Sequence, residues 1–277
     1  MEKKLRITVP NEIYKIIESD LEDFRITKNF LCNYIFENSK GFKQIYNYKY
    51  NGSKKIIQFN LNKKNLENYY SFLAEKKIEV EAEYFRNIFF YYAQQSKKSR
   101  ELFIFKNITE KIMYGVENKK KIIVTFADGT KKTISPYYMA SSELELKNYL
   151  FSYDEDEKRF KNFTLRNIKA VYVTEKKVYE GENDFVREVI ENFDPFLSYN
   201  KRVKVKFTDE GLEILKRVKT YRPKLLKQEG NICVFQCSEL QGKRYFSAFW
   251  NEAEILEPLE LRNWFRERSL KIMEIYK

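Results

Sequence analysis

The sequence predicts an α+β protein built from several small domains, and three observations support this prediction. A strand-and-helix pattern occurs twice in the first 100 residues, a series of short strands starts near Lys121, and strands alternate with helices from Lys201 onward. A chain of 277 residues is long enough to bury more than one hydrophobic core. We expect domain boundaries that give residues 1–100, 101–182 and 183–277.

The composition restricts the chemistry that this chain can perform. It contains no histidine and three cysteines, Cys32, Cys233 and Cys237. Histidine is the commonest general base and the commonest zinc ligand, so its absence argues against an enzyme or a metal site. No apolar run approaches the roughly 20 residues of a membrane span, and the first residues lack the apolar core of a signal peptide. We therefore expect a cytoplasmic, non-enzymatic protein without cofactor or membrane contact. We also expect no disulfide framework, and we expect Cys233 and Cys237 to lie in strands.

The charge balance favours a polyanionic partner. The formal net charge is +12, and most of the excess lies in residues 1–100. A basic surface can hold nucleic acid, but it can also serve solubility alone. The 23 phenylalanines and 21 tyrosines could fill hydrophobic cores or stack on bases. Composition leaves both interpretations open.

The first copy of the repeated pattern begins with a strand of alternating polarity. One face carries Leu5, Ile7 and Val9, and the other carries Lys4, Arg6 and Thr8. Pro10 suits the first turn of a helix whose apolar stripe is Ile13, Ile16, Ile17 and Leu21. A break at "LEDFR" follows, and Thr27 can cap a second helix with Phe30, Leu31, Tyr34 and Ile35 as its stripe.

The same pattern recurs further along the chain. Ile57, Phe59 and Leu61 repeat the first apolar face at an offset of 52, with Gln58 and Asn60 between them, and a helix with Leu66, Tyr69, Tyr70 and Leu73 follows. "VEAEYFRNIFF" from Val80 aligns with "ITKNFLCNYIF" from Ile26 at an offset of 54. Such similar offsets indicate a duplication, and predict that the first strand pairs antiparallel with Ile56–Leu61. Alternatively, Asn51-Gly52 is a tight-turn signal for a hairpin between Ile45–Tyr50 and Lys55–Leu61.

The segments "LRITVPNEIYKII" and "FRITKNFLCNYIF" resemble the ribbon–helix–helix family. In that family two copies each give one strand to a ribbon that enters the DNA major groove, and here both strands would come from one chain. The resemblance makes Lys4, Arg6, Thr8, Gln58 and Asn60 candidate nucleic-acid contacts. Lys28 at the start of the second helix could hold a phosphate. Its counterparts Glu81 and Glu83 would repel one, so half of the unit is predicted to have lost contact with a nucleic-acid backbone.

The middle of the sequence predicts several short strands. One hairpin turns at Asp128-Gly129, a second turns at the acidic run Asp154–Glu157, and "IKAVYVTEKKV" adds a further strand. These strands predict a small barrel of the SH3 or Sm-like kind. The region resembles the WYL domain at Pro136, at Asn148-Tyr149-Leu150 and at the phrase from Lys161 to Ile168. Asn148 replaces that family's tryptophan, and Lys161, Thr164 and Asn167 stand where arginines are usual.

The WYL resemblance implies a groove for nucleic acid or nucleotide-like ligands. It makes candidate ligand contacts of Tyr149, Lys161 and Asn167, with Tyr137, Tyr138, Arg159 and Arg166 nearby. The competing interpretation is that Tyr149 belongs to the core, while Lys161 and Arg159 pair with the acidic run.

Residues 201–277 have a βαββαβ order followed by a final helix from Leu259. This order resembles the C-terminal extension that often follows WYL domains, which implies a homodimer formed through this part. The last helix carries Leu261, Trp264, Phe265 and Leu270, a face wide enough for a domain core or a dimer interface.

Two functions fit these features. The architecture resembles the WYL accessory proteins of type VI CRISPR loci, which implies binding of single-stranded RNA and a CRISPR effector as partner. The alternative is a ligand-responsive DNA-binding repressor with a WYL sensor domain. The acidic start of the second-copy helix favours the accessory protein, and the Lys4/Arg6 edge favours the repressor.

Overall fold

A computed structural model describes residues 3–39, 52–142 and 146–277, and it confirms a mixed α+β protein. Two structural units are present: Met1–Lys111 with Leu165–Ala170, and Ile112–Thr164 with Val171–Lys277. The finer division at residues 100 and 182 stays a prediction. In the part of the chain that the structure describes, no helix is both long enough and apolar enough to cross a lipid bilayer.

The first unit combines a two-stranded ribbon with helices. Its elements are β1 (Lys4–Pro10), α1 (Asn11–Phe24), α2 (Lys28–Asn38), β2 (Lys54–Asn60), α3 (Lys63–Glu67), α4 (Tyr69–Glu75), α5 (Glu81–Gln94), α6 (Lys97–Ile104) and the start of α7 (Lys106–Glu117).

The predicted antiparallel pairing of the first strand with its repeat is confirmed. β1 pairs with β2 in a register that sets Arg6 opposite Gln58. The second strand begins slightly earlier than predicted, and Leu61 follows it as a buried residue. The first half of the alternative hairpin, Ile45–Tyr50, lies outside the described residues.

The apolar face of the ribbon forms one side of the hydrophobic core of the first unit. Ile7, Val9 and Ile57 are each at most 1% exposed. Aromatic rings lie above them, and the Phe59 and Phe85 ring centroids are 5.7 Å apart. Burying one such side chain completely contributes roughly 1.5–3 kcal/mol. This burial fixes the register, because a slip by one residue would turn the apolar face outward.

Helix boundaries in this unit follow local capping. The Thr27 hydroxyl accepts a hydrogen bond from the Phe30 N–H at 3.2 Å, as predicted for the start of α2. The predicted break falls at Arg25, where φ is +54°, so α1 continues through most of "LEDFR". The single helix predicted after β2 is wrong, because the chain leaves helical geometry at Asn68 and forms α3 and α4 instead. Asparagine favours such interruptions because its side chain competes for backbone hydrogen bonds.

Five strands form the sheet of the middle region. They are β3 (Lys120–Phe126), β4 (Lys131–Ser142), β5 (Lys147–Asp154), β6 (Arg159–Thr164) and β7 (Ile168–Lys177), in the order β6-β5-β4-β3-β7. Both predicted hairpins are present, and Gly129 has the positive φ, +87°, that the first turn requires. The predicted closed barrel is wrong: among the described residues the sheet is open, because the edge strands β6 and β7 form no ladder with each other.

The predicted βαββαβ order at the C-terminal end is confirmed. After α8 (Asn183–Glu191) the elements are β8 (Arg202–Phe207), α9 (Asp209–Arg217), β9 (Lys224–Glu229), β10 (Ile232–Gln236), α10 (Glu239–Phe246), β11 (Ala253–Glu257) and α11 (Leu259–Ile275). The strand order β11-β8-β10-β9 is ferredoxin-like. Cys233 lies in β10 and Cys237 just after it, and both are buried.

Candidate nucleic-acid interface

The ribbon presents one exposed face, which we call the ribbon face. It consists of Lys4, Arg6 and Thr8 from β1 and of Lys54, Ile56, Gln58 and Asn60 from β2. Cross-strand neighbours have Cβ atoms about 4.5–5.5 Å apart, so the side chains opposite each other act together. The structure thus brings five of the predicted contact residues onto one surface.

Sequence reasoning missed two members of the ribbon face, Lys54 and Ile56. Ile56 is 49% exposed and lies opposite Thr8. It shares the two-residue period of Gln58 and Asn60, and that period alone would have placed it on this face.

The cations of the ribbon face are exposed, and they have no ion-pair partner in the part of the chain that the structure describes. These cations are Lys4, Arg6 and Lys54. Arginine and lysine suit phosphate and guanine, whereas the amides of Gln58 and Asn60 suit adenine. The ribbon face can therefore hold a phosphate backbone and contact bases.

The N-termini of the helices α2 and α5 carry charged side chains that are either already paired or acidic. The Lys28 ammonium lies 2.7 Å from a Glu18 carboxylate oxygen, and this hydrogen bond raises the pKa of Lys28. At the start of α5, Glu81 accepts from the Lys3 ammonium at 3.0 Å, and Glu83 lies in the same turn. Lys28 is thus already paired, and the α5 terminus carries negative charge where a phosphate would need positive charge.

The WYL-like candidates Lys161 and Arg159 lie in an ion-pair cluster with the acidic run. The buried Asp154 carboxylate is 2.7 Å from the Lys132 ammonium and 3.4 Å from that of Lys161. Glu157 pairs with Lys132, Lys161 and Arg159, the last at 2.6 Å. Burial alone would raise the pKa of Asp154, but hydrogen bonds from Lys132 and from backbone N–H groups outweigh burial and lower it. The pairing that sequence reasoning kept as the competing interpretation is therefore present.

The aromatic candidates of the same sheet pack against other rings. Tyr149 is 6% exposed, and its ring centroid lies 5.9 Å from that of Phe193. The Tyr137 hydroxyl donates to the Tyr179 carbonyl oxygen at 2.5 Å. Tyr138 is half-buried. A base could therefore reach the Tyr149 ring only if the surrounding side chains moved.

The last two candidates, Arg166 and Asn167, belong to the first unit. The Arg166 guanidinium lies 3.4 Å from the Glu101 carboxylate and 3.5 Å from that of Asp23, whereas Asn167 is exposed. Sequence reasoning could not find these pairs, because no motif links residues so far apart in the chain. In the part of the chain that the structure describes, no group of three Cys, Asp or Glu residues is placed to hold a metal ion.

The sequence matches no protein-family model and no curated protein. The fold, in contrast, is similar to a crystal structure described as that of a CRISPR Cas-related protein, with a TM-score of 0.76 and 16% identity. That alignment covers 100% of this chain and 94% of the other. A second match, the proteasome accessory factor B/C (PafBC) of Arthrobacter aurescens, has a TM-score of 0.29 and 14% identity over 58% of this chain and 26% of that one. The first likeness shows a shared fold, and the second is too weak to support an argument.

Proposed function

We propose that this protein is a non-enzymatic regulator associated with a CRISPR system, and that it binds single-stranded RNA through the ribbon face. The observation that carries the proposal is the set of exposed cations Lys4, Arg6 and Lys54, which form no ion pair with any described residue, beside the amides of Gln58 and Asn60. The full-length fold likeness to a CRISPR Cas-related protein supports the biological setting. An RNA-targeting effector of a type VI system is the proposed protein partner.

The electrostatics around the ribbon favour a single strand over a duplex. A ribbon in the major groove lies between two phosphate backbones, and helix starts on either side are suited to hold them. Here Lys28 is paired with Glu18, and the other helix start carries Glu81 and Glu83. A single strand needs only one line of phosphate contacts, which the cations of the ribbon face can supply.

Sequence-specific binding of duplex DNA is the second candidate function, with the protein acting as a repressor. The side chains of Arg6 and Gln58 lie opposite each other on an exposed face. Arginine pairs with guanine and glutamine with adenine in the major groove, so this pair could read two neighbouring base pairs.

We further propose that the protein forms a homodimer through its C-terminal part. Only Leu261 of the predicted apolar face on α11 is buried, whereas Leu270 is 51% exposed and Met273 is 60% exposed. A second copy would cover this apolar surface.

A binding panel tests the proposed function. Fluorescence anisotropy compares single-stranded RNA, single-stranded DNA and duplex DNA of one sequence at several salt concentrations. We expect single-stranded RNA to bind most tightly, with a log–log salt slope of about −0.7 per phosphate contacted. Tight, sequence-dependent binding of the duplex would instead support the repressor, and no binding of any nucleic acid would refute both functions. Light scattering on the same samples tests the homodimer.

A further inference from the structure

The C-terminal sheet of the second unit has one face that its own helices do not cover. Alternation along β8 buries Val203, Val205 and Phe207 and turns Arg202, Lys204 and Lys206 to the opposite face. The register extends this opposite face across the neighbouring strands. Its three rows are Arg202–Gln236–Lys224, Lys204–Val234–Lys227 and Lys206–Ile232–Glu229.

The first of these rows, Arg202–Gln236–Lys224, is the least neutralised, and we call it the basic row. In the second row the Lys204 ammonium lies 3.7 Å from a Glu257 carboxylate oxygen, and the Lys227 ammonium lies 2.5 Å from a Glu229 carboxylate oxygen. Among the described residues, neither Arg202 nor Lys224 has an ion-pair partner. Adjacent strands are about 4.8 Å apart, so the two cations flank the Gln236 amide at close range.

A cleft of about 510 Å³ begins where the basic row ends, because Lys224 and Gln236 also line it. Arg222, a third cation without an ion-pair partner among the described residues, lies in its wall. The two carboxylates of the cleft already have donors. The Asp194 carboxylate accepts hydrogen bonds from the backbone N–H groups of Phe196 and Ser198, at 2.9 and 2.7 Å. The Glu188 carboxylate accepts a hydrogen bond from the Asn192 side-chain amide at 3.1 Å.

Aromatic rings form another wall of the cleft. The Phe196 and Tyr221 rings meet edge to face, with centroids 5.9 Å apart, and the Arg244 guanidinium lies 5.5 and 5.7 Å from them. Tyr221 has a φ of +59°, which a residue with a large side chain rarely adopts. The Gln241 amide holds it there by donating to the Tyr221 carbonyl oxygen at 3.1 Å. Such strained residues cluster at ligand sites.

We propose that the cleft and the basic row together bind a nucleotide unit, with its phosphate on Arg202, Arg222 and Lys224 and its base against Phe196 and Tyr221. Cations beside aromatic faces are the combination that holds single strands, and the cleft volume falls within the range of about 300–1,000 Å³ typical of ligand sites. The nucleotide is supplied either by a single RNA strand or by a free nucleotide. This inference deepens the proposed function and rests on it.

The test uses the full chain and a short fluorescent single-stranded RNA. The triple variant Arg202→Ala, Arg222→Ala, Lys224→Ala should bind about tenfold more weakly. Its salt slope should be reduced by about 0.7, because the contact to one phosphate is lost. The matched control Lys216→Ala, Arg217→Ala, Lys219→Ala removes three exposed cations from α9 and the segment after it, and should change the affinity less than twofold.

A second variant separates stacking from charge. Tyr221→Leu keeps an apolar side chain but removes the aromatic face, so we expect about tenfold weaker binding with an unchanged salt slope. Displacement of the RNA by AMP or UMP would assign the site to free nucleotides as well. Absence of displacement would assign it to a strand.

Three outcomes would overturn the inference. If the Arg202 triple variant binds like the wild type while Lys4→Ala, Arg6→Ala loses affinity, the second site is wrong and the proposed function stands. If the wild type binds no RNA, both fail. If light scattering shows that the triple variant is monomeric where the wild type is dimeric, the uncovered face is an interface between copies.

Discussion

Arg6 lies directly opposite Gln58 in the ribbon, and the two residues occupy the same position in the two copies of the repeat. A pairing of equivalent positions is what a local two-fold axis through the ribbon requires. The two halves have nevertheless diverged, because the counterpart of Lys4 is Ile56 and that of Thr8 is Asn60. The two strands therefore keep a symmetric pairing, while Lys4 and Arg6 of the first strand have Ile56 and Gln58, neither of them a cation, as their counterparts in the second.

A buried ion pair links the helices α1 and α6 of the first unit. Arg100 holds Asp20 with two hydrogen bonds, of 2.6 and 3.0 Å, and the Tyr92 hydroxyl donates to Asp20 at 2.7 Å. Asp20→Asn leaves the arginine uncompensated and should lower the free energy of unfolding of the first unit by about 3–5 kcal/mol. Hydrogen exchange of α5 peptides measures this loss. Glu110→Gln, which breaks an exposed 3.8 Å pair with Lys106, should cost less than about 1 kcal/mol, and equal costs would contradict the prediction.

The acidic run makes the stability of the second unit depend on pH. The pKa of Asp154 is lowered from its ordinary value of 3.8, so its contribution is present above that value and is lost as the pH falls toward the folded-state pKa. Asp154→Asn should therefore flatten the decline in unfolding free energy between about pH 5 and pH 3. Trp250 and Trp264 both lie in the second unit, and their fluorescence reports its unfolding. An equally flat profile in Asp184→Asn, which alters an exposed carboxylate, would contradict this assignment.

Lys161 distinguishes the two interpretations of the WYL-like region. Because its ammonium is paired with Asp154 and Glu157, Lys161→Ala should change the affinity for single-stranded RNA less than threefold. Anisotropy titrations measure this, with Lys161→Arg as the variant that keeps the charge. A loss of tenfold or more in Lys161→Ala alone, at unchanged stability, would restore the ligand role that the family resemblance implies.

The three cysteines should be chemically inert in the folded protein. Burial raises the pKa of Cys32 and of Cys237 to about 12, and it also raises that of Cys233. Because the thiolate is the reactive form, a thiol reagent at pH 8 should label none of them until denaturant is added. Rapid labelling of the native protein by Ellman's reagent would disprove this.

The elements that sequence predicted well are those that depend on local periodicity. The alternation in β1 and β2, the cap at Thr27 and the turn at Gly129 each follow from a few neighbouring residues. The interruption of the helix at Asn68 and the open edge of the sheet at β6 depend on tertiary packing, so no local sequence pattern predicted them.

The candidate site was predictable to the same extent. Period-two alternation was enough to place Arg6 and Gln58 on one exposed face. It could not decide whether Lys161 meets a ligand or the acidic run, because that choice depends on which side chains come within about 4 Å in the fold. For the same reason no sequence pattern indicated the partners of Arg166 or the cleft beside Tyr221.

The affinity of the Lys4→Ala, Arg6→Ala variant for single-stranded RNA tests most directly whether the ribbon face binds nucleic acid. We expect at least tenfold weaker binding, with a salt slope reduced by about 1.4 for two lost phosphate contacts. The control Lys15→Ala, Lys111→Ala removes two exposed cations from helices of the same unit and should bind like the wild type. If the Lys4→Ala, Arg6→Ala variant also binds like the wild type, the ribbon face is not the nucleic-acid interface.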